Sequence, residues 1–211
     1  MMVSGAESAD RVQQHYTFVD AAAAAGVRHI VYTSFVAAAP DSTITLGRDH
    51  YATEQRIRAA GITFTFLRDN IYLDFVNDMV GDDGVIRGPA DGGRAAMVAR
   101  QDVARVAAAM LLDPAPHAGM SYDITGPEAL TLDEVAAVLS AHRGEAVTFH
   151  DESIPEAYAS RARWGAPDWQ VDAWVSTYVA FARGELAAVS TDVERVTGRP
   201  AVSLSELLAM D

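Results

Sequence analysis

Apolar positions in the first half of the chain follow a unit that occurs twice. Residues 8–25 carry apolar side chains at helical spacing, and Gly26 then predicts the end of that helix. The next run, residues 27–34, reads as a buried strand. A Ser-x-x-Glu capping box at Ser4 and Glu7 predicts that the helix begins early, and residues 1–5 then form at most the tail of a strand. The apolar stripe of this helix consists of Val12, Tyr16, Val19 and Ala23.

The second unit repeats the order of helix, glycine and strand. Residues 46–60 predict a helix, Gly61 ends it, and residues 62–67 predict the next strand. The stripe of this helix consists of His50, Thr53 or Glu54, and Ile57. Strands alternating with helices in this way predict an α/β fold, in which helices cover a parallel sheet and the crossovers are right-handed.

The second half of the chain is less regular. Glycines between residues 84 and 93 predict turns around a short hairpin, residues 101–112 an apolar-faced helix, and residues 121–124 a strand. Further helix starts carry capping boxes: Thr131 with Glu134, Ser153 with Glu156, Thr191 with Glu194, and Ser203 with Glu206. We therefore expect one body whose C-terminal part is mainly helical.

The composition removes several classes of function. The 211 residues have a net charge of −13, all sixteen side-chain cations are arginine, and lysine and cysteine do not occur. Their absence excludes disulfide scaffolds, thiolate zinc sites, cysteine nucleophiles, Schiff-base chemistry and a phosphate-loop lysine. An acidic chain without a basic run or a long apolar segment disfavours nucleic acid and membranes, so we expect a cytoplasmic protein.

A metal site is not expected. The loose group of His142, His150, Asp151 and Glu152 lacks the spacing of metal ligands and is interpreted as solvated surface.

Ligands of open α/β sheets bind outside the carboxyl ends of the strands. Here that edge includes residues 33–35, 49–51 and 68–72. His50 is the strongest candidate, because histidine titrates near neutral pH. A buried histidine with one structural hydrogen bond explains the position equally well. Tyr51 is a possible phenol donor, but position 55 is Gln55 rather than a lysine, so the phenol should be a poor acid or base.

Six segments resemble, in order, one known group of proteins. They are VSG, AAGVRHIVYTSF, DHYATEQRIRAAGI, LRDNIYLDF, ARQDVARVAAAML and YDITGPEALTLDEVAAVLS. The chain resembles the NmrA-like atypical short-chain dehydrogenase/reductases over essentially its whole length. Within that group it is most similar to the bacterial NAD(P)H:quinone oxidoreductase type, which has a His-x-x-Thr-Glu helix like that of His50–Glu54.

The resemblance implies a three-layer, Rossmann-like parallel sheet. Residues 1–125 would form a partial NAD(P)-binding domain and residues 126–211 a helical, substrate-covering region. It implies NADP or NAD as cofactor, with NADPH favoured, and a small quinone or carbonyl substrate. The implied catalytic residues are His50 and Tyr51, and Trp164 and Trp174 would cover the substrate. The implied cofactor-binding residues are Ser4, Gly5, Thr33, Ser34, Phe35, Asn70, Ile71 and Tyr72.

The chain departs from the group's pattern in two respects. A Tyr-x-x-x-Lys pair cannot exist without lysine, so hydride transfer would depend on positioning. The glycine-rich half that carries the pyrophosphate site does not precede the VSG segment. We therefore expect an N-terminally shortened form that binds dinucleotide weakly unless a partner supplies the missing half.

Two other functions stay open. One is a non-catalytic, NAD(P)-sensing regulator that binds a protein partner, and the other is an interaction module that pairs through its sheet edge. A homodimer is the simplest assembly expected from the latter.

Overall fold

Helices and short strands alternate through the whole structure, a computed structural model that describes residues 1–210. The helices are α1 (Arg11–Ala24), α2 (Thr45–Ala59), α3 (Arg100–Leu112), α4 (Leu132–Arg143), α5 (Ile154–Arg161), α6 (Asp168–Ala182), α7 (Asp192–Thr197) and α8 (Leu204–Leu208). The strands are β1 (His29–Phe35), β2 (Thr63–Asp69), β3 (Val85–Gly88), β4 (Arg94–Ala95), β5 (Met120–Ile124), β6 (Leu130–Thr131) and β7 (Thr148–Asp151).

The central sheet has the strand order β1-β2-β5, and both pairings are parallel. Tyr32 and Phe66 point to the face covered by α1 and α2, where they pack with Ile57. Alternate residues such as Leu67 point to the opposite face, where α3 and α7 pack, and Val193 belongs to that cluster. Helices thus cover both faces of a parallel sheet, which confirms the predicted three-layer α/β fold.

The second predicted unit is confirmed, and the buried face of α2 includes His50, Thr53, Glu54 and Ile57. Gly61 follows the end of α2 with a φ of +68°, a backbone conformation that costs glycine little free energy.

The predicted start of the first helix is wrong, and Val19 is the one member of its predicted stripe that is buried. Helix α1 begins at Arg11, and its buried positions are Arg11, His15, Val19 and Ala22. The buried stripe differs from the predicted one because the polar side chains of Arg11 and His15 face inward and form hydrogen bonds there. Glu7 forms no capping box with Ser4, since its carboxylate accepts hydrogen bonds from side chains of α6 instead.

The predicted hairpin between residues 84 and 93 is also wrong. Strand β3 pairs in parallel with β7, and β4 pairs antiparallel with β6, so the two strands belong to different sheets. The capping boxes at Thr131, Ser153 and Ser203 are confirmed. The box at Thr191 is wrong, because that residue has a ψ of 9° rather than an extended backbone and its side chain makes no capping hydrogen bond.

The largest apolar cluster joins the two halves of the chain. It brings Leu73 and Ile86 together with Leu139, Phe181 and Leu204. The division at residues 125 and 126 stays a prediction. Within residues 1–210, the helices are all too short or too polar to cross a lipid bilayer.

Candidate functional site

The carboxyl ends of β1 and β2 form one edge, because Phe35 lies opposite Asp69 in the parallel register. The edge therefore collects the predicted residues Thr33, Ser34 and Phe35 with the turn that follows β2. The structure also places Ser4 there, since its backbone N–H donates to Thr33 Oγ1 at 2.9 Å. The roles assigned to these residues stay predictions, but their proximity is a feature of the fold.

A fully buried carboxylate orients Ser34. The Ser34 hydroxyl donates to Glu54 Oε1 at 2.6 Å, and Arg68 binds both carboxylate oxygens through Nε at 2.9 Å and Nη2 at 2.7 Å. The hydrogen bonds to Glu54 raise the pKa of Arg68 further, and such a paired, hydrogen-bonded arrangement is what burial of a charge requires. Because its hydrogen is committed to Glu54, Ser34 offers only oxygen lone pairs to a ligand.

His50 is buried and both of its ring nitrogens have protein partners. Arg11 Nη2 lies 2.9 Å from Nε2, and Tyr32 Oη lies 3.0 Å from Nδ1. Arginine is only a donor, so Nε2 must accept and the hydrogen of the neutral ring must sit on Nδ1. Burial, and then the nearby Arg11 charge, hold the pKa of His50 well below its usual value. The structure thus combines a neutral imidazole with a structural hydrogen-bond network.

A second buried histidine, His15, fixes the N-terminal segment. The Gly5 N–H donates to His15 Nε2 at 2.8 Å, and His15 Nδ1 lies 2.8 Å from Thr53 Oγ1. The Thr53 hydroxyl donates to the Asp49 carbonyl, so it accepts from His15. Burial, assisted by the Arg11 charge, lowers the pKa of His15 to about 4. The Gly5 amide is therefore already used by the protein.

Tyr51 lies on a different side of α2 from His50 and is only half-buried. Within the described residues its phenol makes no side-chain hydrogen bond with the protein, so it is free to meet a ligand.

The turn after β2 anchors a later segment of the chain. Asn70 Nδ2 donates to the Leu186 carbonyl at 2.9 Å, and Asn70 Oδ1 accepts the Ile71 N–H at 2.8 Å. These bonds leave Asn70 one amide hydrogen. Tyr72 points to the α3 face of the sheet, where it packs against the apolar cluster of that face.

Buried Asp69 and half-buried Tyr72 form an acidic pair at this turn. The Tyr72 hydroxyl donates to Asp69 Oδ2 at 2.9 Å, while Asp69 Oδ1 is buried without a hydrogen-bond partner. Burial raises the pKa of Asp69 to about 8, and the hydrogen bond from Tyr72 opposes this shift. Burial and the Asp69 charge in turn raise the pKa of the Tyr72 phenol.

A cavity of about 1290 Å³ lies next to Ile71 of the same turn. Both predicted substrate-covering residues, Trp164 and Trp174, line it, and their rings meet edge to face with centroids 5.6 Å apart. Within the described chain, the cavity lining does not include His50 or Tyr51. Ile71 is thus the predicted cofactor residue that connects the sheet edge to the cavity.

Helix α6 approaches the backbone closely to build the cavity wall. A Cβ atom on Gly88 would lie 2.2 Å from Cδ1 of Tyr178, and one on Gly93 would lie 1.9 Å from the Phe181 carbonyl oxygen. Both aromatic residues line the cavity. Glycine at these two positions therefore decides how near the helix can pack.

Sequence reasoning placed Arg68 at the sheet edge but missed Arg11 and His15 as members of the site. A polar residue at an inward helical position, such as His15, was the available signal. Residues 1–210 contain no group of three or more histidine, aspartate or glutamate side chains placed to hold a metal ion. The interpretation of Glu152 as solvated surface is wrong, because Glu152 is buried and its carboxylate binds Arg161 at 2.9 Å.

Comparison with known proteins decides the family. The NmrA-like family model matches residues 1–191. The chain belongs to the NmrA-like family. It is 32% identical over 200 residues to the NAD(P)H azoreductase of Xenophilus azovorans, covering 93% of this chain and 70% of that protein. It is likewise 32% identical over 211 residues to quinone oxidoreductase 2 of Escherichia coli strain K12, covering 98% and 72% of the two chains.

Solved structures agree with this family assignment. The NADPH complex of an Escherichia coli NADPH-dependent quinone oxidoreductase superposes with a TM-score of 0.87 at 31% identity, covering 99% of this chain and 74% of that one. The NADP(H) complex of Citrobacter sp. triphenylmethane reductase gives a TM-score of 0.85 at 30% identity, covering 99% and 75%. The expected family resemblance and the Rossmann-like fold are therefore confirmed.

Proposed function

We propose that this chain is an NAD(P)H-dependent oxidoreductase that transfers hydride to a quinone or a similar small carbonyl compound, with NADPH as the favoured cofactor. The observation that carries this proposal is the position of Ile71, which joins the ligand-binding edge of the sheet to the cavity under Trp164 and Trp174. The names of the relatives support it, since they include an NAD(P)H azoreductase, a quinone oxidoreductase and an NADPH-dependent quinone oxidoreductase in complex with NADPH.

The residues at the edge fit the nicotinamide end of such a cofactor. Ser34 offers lone pairs and Asn70 retains an amide hydrogen, which suit the donors and acceptors of a carboxamide and a ribose. The buried, unpartnered Asp69 Oδ1 is a further polar atom at this edge, and it carries the proton when Asp69 is protonated, because Oδ2 accepts from Tyr72. Within residues 1–210 we find no glycine-rich turn that opens a helix, so the fit concerns the nicotinamide end alone.

The bound cofactor would supply the hydride, and the protein would position the acceptor and exclude water. Trp164 and Trp174 would form the apolar cover of the acceptor. Reduction of a quinone also consumes a proton. Tyr51 would be the side chain free to donate it, and neutral His50 would hold the edge in place through Arg11. Tyr51 is thus the candidate catalytic residue, and His50 is a candidate positioning residue that acts through Arg11 and Tyr32.

The test measures binding and turnover separately. NADPH should quench the tryptophan fluorescence of this chain, and addition of 1,4-naphthoquinone should then cause loss of NADPH absorbance. If NADPH causes no quenching and naphthoquinone causes no loss of NADPH absorbance, the proposal is overturned. A matched comparison of Asn70→Asp with Asp41→Asn, a change at an exposed position, should show weaker NADPH binding only for the former.

The second candidate is an NAD(P)-sensing regulator without catalysis. One observation favours it: both His50 nitrogens are engaged, so this histidine is not a ready proton donor. Quenching by NADPH with no turnover across several quinones would support this second candidate instead.

A further inference from the structure

The wall of the cavity carries an arginine beside its exposed tryptophan. Arg163 and Trp164 occupy the turn between α5 and α6, and the guanidinium carbon lies 4.8 Å from the centre of the Trp164 ring. Trp164 is 55% exposed although it is a large apolar residue. A large aromatic surface and a positive charge are thus presented together to the same space.

The arginines that line the cavity differ in their partners. Arg87 pairs with Asp83 at 2.6 Å, and Arg161 pairs with buried Glu152 at 2.9 Å. Arg163, by contrast, has no carboxylate within 4 Å anywhere in residues 1–210. The chain has 29 acidic side chains against 16 arginines, so a lack of acids does not explain this. Contact with an aromatic face leaves the planar set of N–H donors free for a carboxylate or sulfonate.

Carboxylates elsewhere on the cavity lining restrict where an anionic group can bind. Asp78 and Asp82 also line the cavity, from the turn that precedes β3. Their negative charge repels an anion, so an anionic substituent is favoured only in the orientation that places it at Arg163. The same arrangement orients the aromatic part of the molecule along Trp164.

We propose that the cavity binds an aromatic acceptor that carries a carboxylate or sulfonate group, and that Arg163 is the residue that determines this specificity. The inference rests on the proposed reductase function, because it names the substrate class of the same site. Arg163 recognises the anion by charge-assisted hydrogen bonds, and Trp164 provides the stacking surface.

The kinetic test uses two acceptors that differ by one charge. Arg163→Gln should lower kcat/KM for 1,4-naphthoquinone-2-sulfonate by about 10-fold or more, as expected for loss of a charge-assisted hydrogen bond. It should leave kcat/KM for 1,4-naphthoquinone within about two-fold, and Arg163→Lys should fall between the two. The matched control is Arg199→Gln, since Arg199 is also exposed and unpaired but lies outside the cavity lining. Equal effects on both acceptors would overturn the proposal.

A binding test separates this inference from the proposed function. Naphthalene-2-sulfonate should quench the tryptophan fluorescence of the wild-type chain with a Kd about 10-fold lower than that for Arg163→Gln. Uncharged 2-naphthol should bind both proteins alike. If the wild-type chain reduces no quinone but shows this difference, the reductase function fails and the anion site stands. If turnover occurs without the difference, the anion site fails alone.

Discussion

Arg11 and His50 lie 39 positions apart and are joined by a hydrogen bond of 2.9 Å between Nη2 and Nε2. The bond fixes the tautomer of His50, because the guanidinium can only donate. The His50 ring is therefore neutral, and both of its nitrogens form hydrogen bonds within the protein.

The first prediction concerns the stability that this bond provides. His50→Leu should lower the free energy of unfolding by about 1–3 kcal/mol, because a buried guanidinium loses its acceptor. His50→Gln should cost less, since its amide oxygen can still accept. Urea unfolding at neutral pH measures both. Tyr51→Phe is the neighbouring control and should change the stability by less than about 0.5 kcal/mol. Equal midpoints for His50→Leu and the wild type would contradict the expectation.

His15 should make the protein sensitive to acid. Its pKa falls to about 4 in the folded state, so the unfolded chain binds the proton more readily. The contribution of His15 to the free energy of unfolding is fully present above the pKa of histidine in the unfolded chain, about 6.5. It is lost as the pH falls toward 4, by up to about 3 kcal/mol. His15→Gln should flatten this part of the profile of unfolding free energy against pH. His142→Gln, at an exposed position, should not.

Asp69 should make the protein less stable as the pH rises, whereas His15 does so as the pH falls. Its pKa is raised to about 8, so the folded state holds the proton more tightly than the unfolded chain. The stabilisation is complete below the unfolded pKa near 3.8 and is lost as the pH rises through about 8. Carbon-detected NMR should show the Asp69 carboxyl titrating near 8. In Asp69→Asn the loss of stability with rising pH should be smaller, whereas Asp41→Asn should match the wild type. An Asp69 midpoint near 4 would refute the prediction.

Gly88 should be intolerant of a side chain for steric reasons alone. A methyl group there meets the Tyr178 ring at 2.2 Å, so α6 must move. We expect Gly88→Ala to cost about 1–3 kcal/mol of unfolding free energy, as overpacking of a core does. Gly81→Ala is the control, because its new methyl first meets the end of the exposed Asp83 side chain, at 2.9 Å, rather than a buried ring. Similar thermal midpoints for the two variants would show that α6 yields easily.

The parts of the fold that the sequence predicts are those with local signals. The inward residues of helix α2, such as His50, Thr53 and Ile57, recur at helical spacing before a glycine stop, and β1 and β2 are short runs rich in β-branched and aromatic residues. Strands β3 and β4 have only four and two residues, and each pairs with a segment far along the chain, so no local pattern indicates them.

The site was predictable to a similar degree. The general rule for open α/β sheets indicated the sheet edge, and family resemblance indicated both tryptophans that line the cavity. It did not indicate Arg11 or His15, because their inward orientation depends on partners 38 or 39 positions away. Arg163 was not predictable either, since its lack of an ion pair emerges only when the surrounding carboxylates are located in space.

Glu7 couples the first loop of the chain to the far side of the cavity. Its carboxylate accepts hydrogen bonds from Gln170 Nε2 at 2.9 Å and from the Trp174 indole N–H at 3.3 Å, across more than 160 positions of sequence. The emission of an indole responds to a charge at its N–H. We therefore expect the fluorescence emission of Trp174 to change when Glu7 and the loop that carries it move away from the cavity wall.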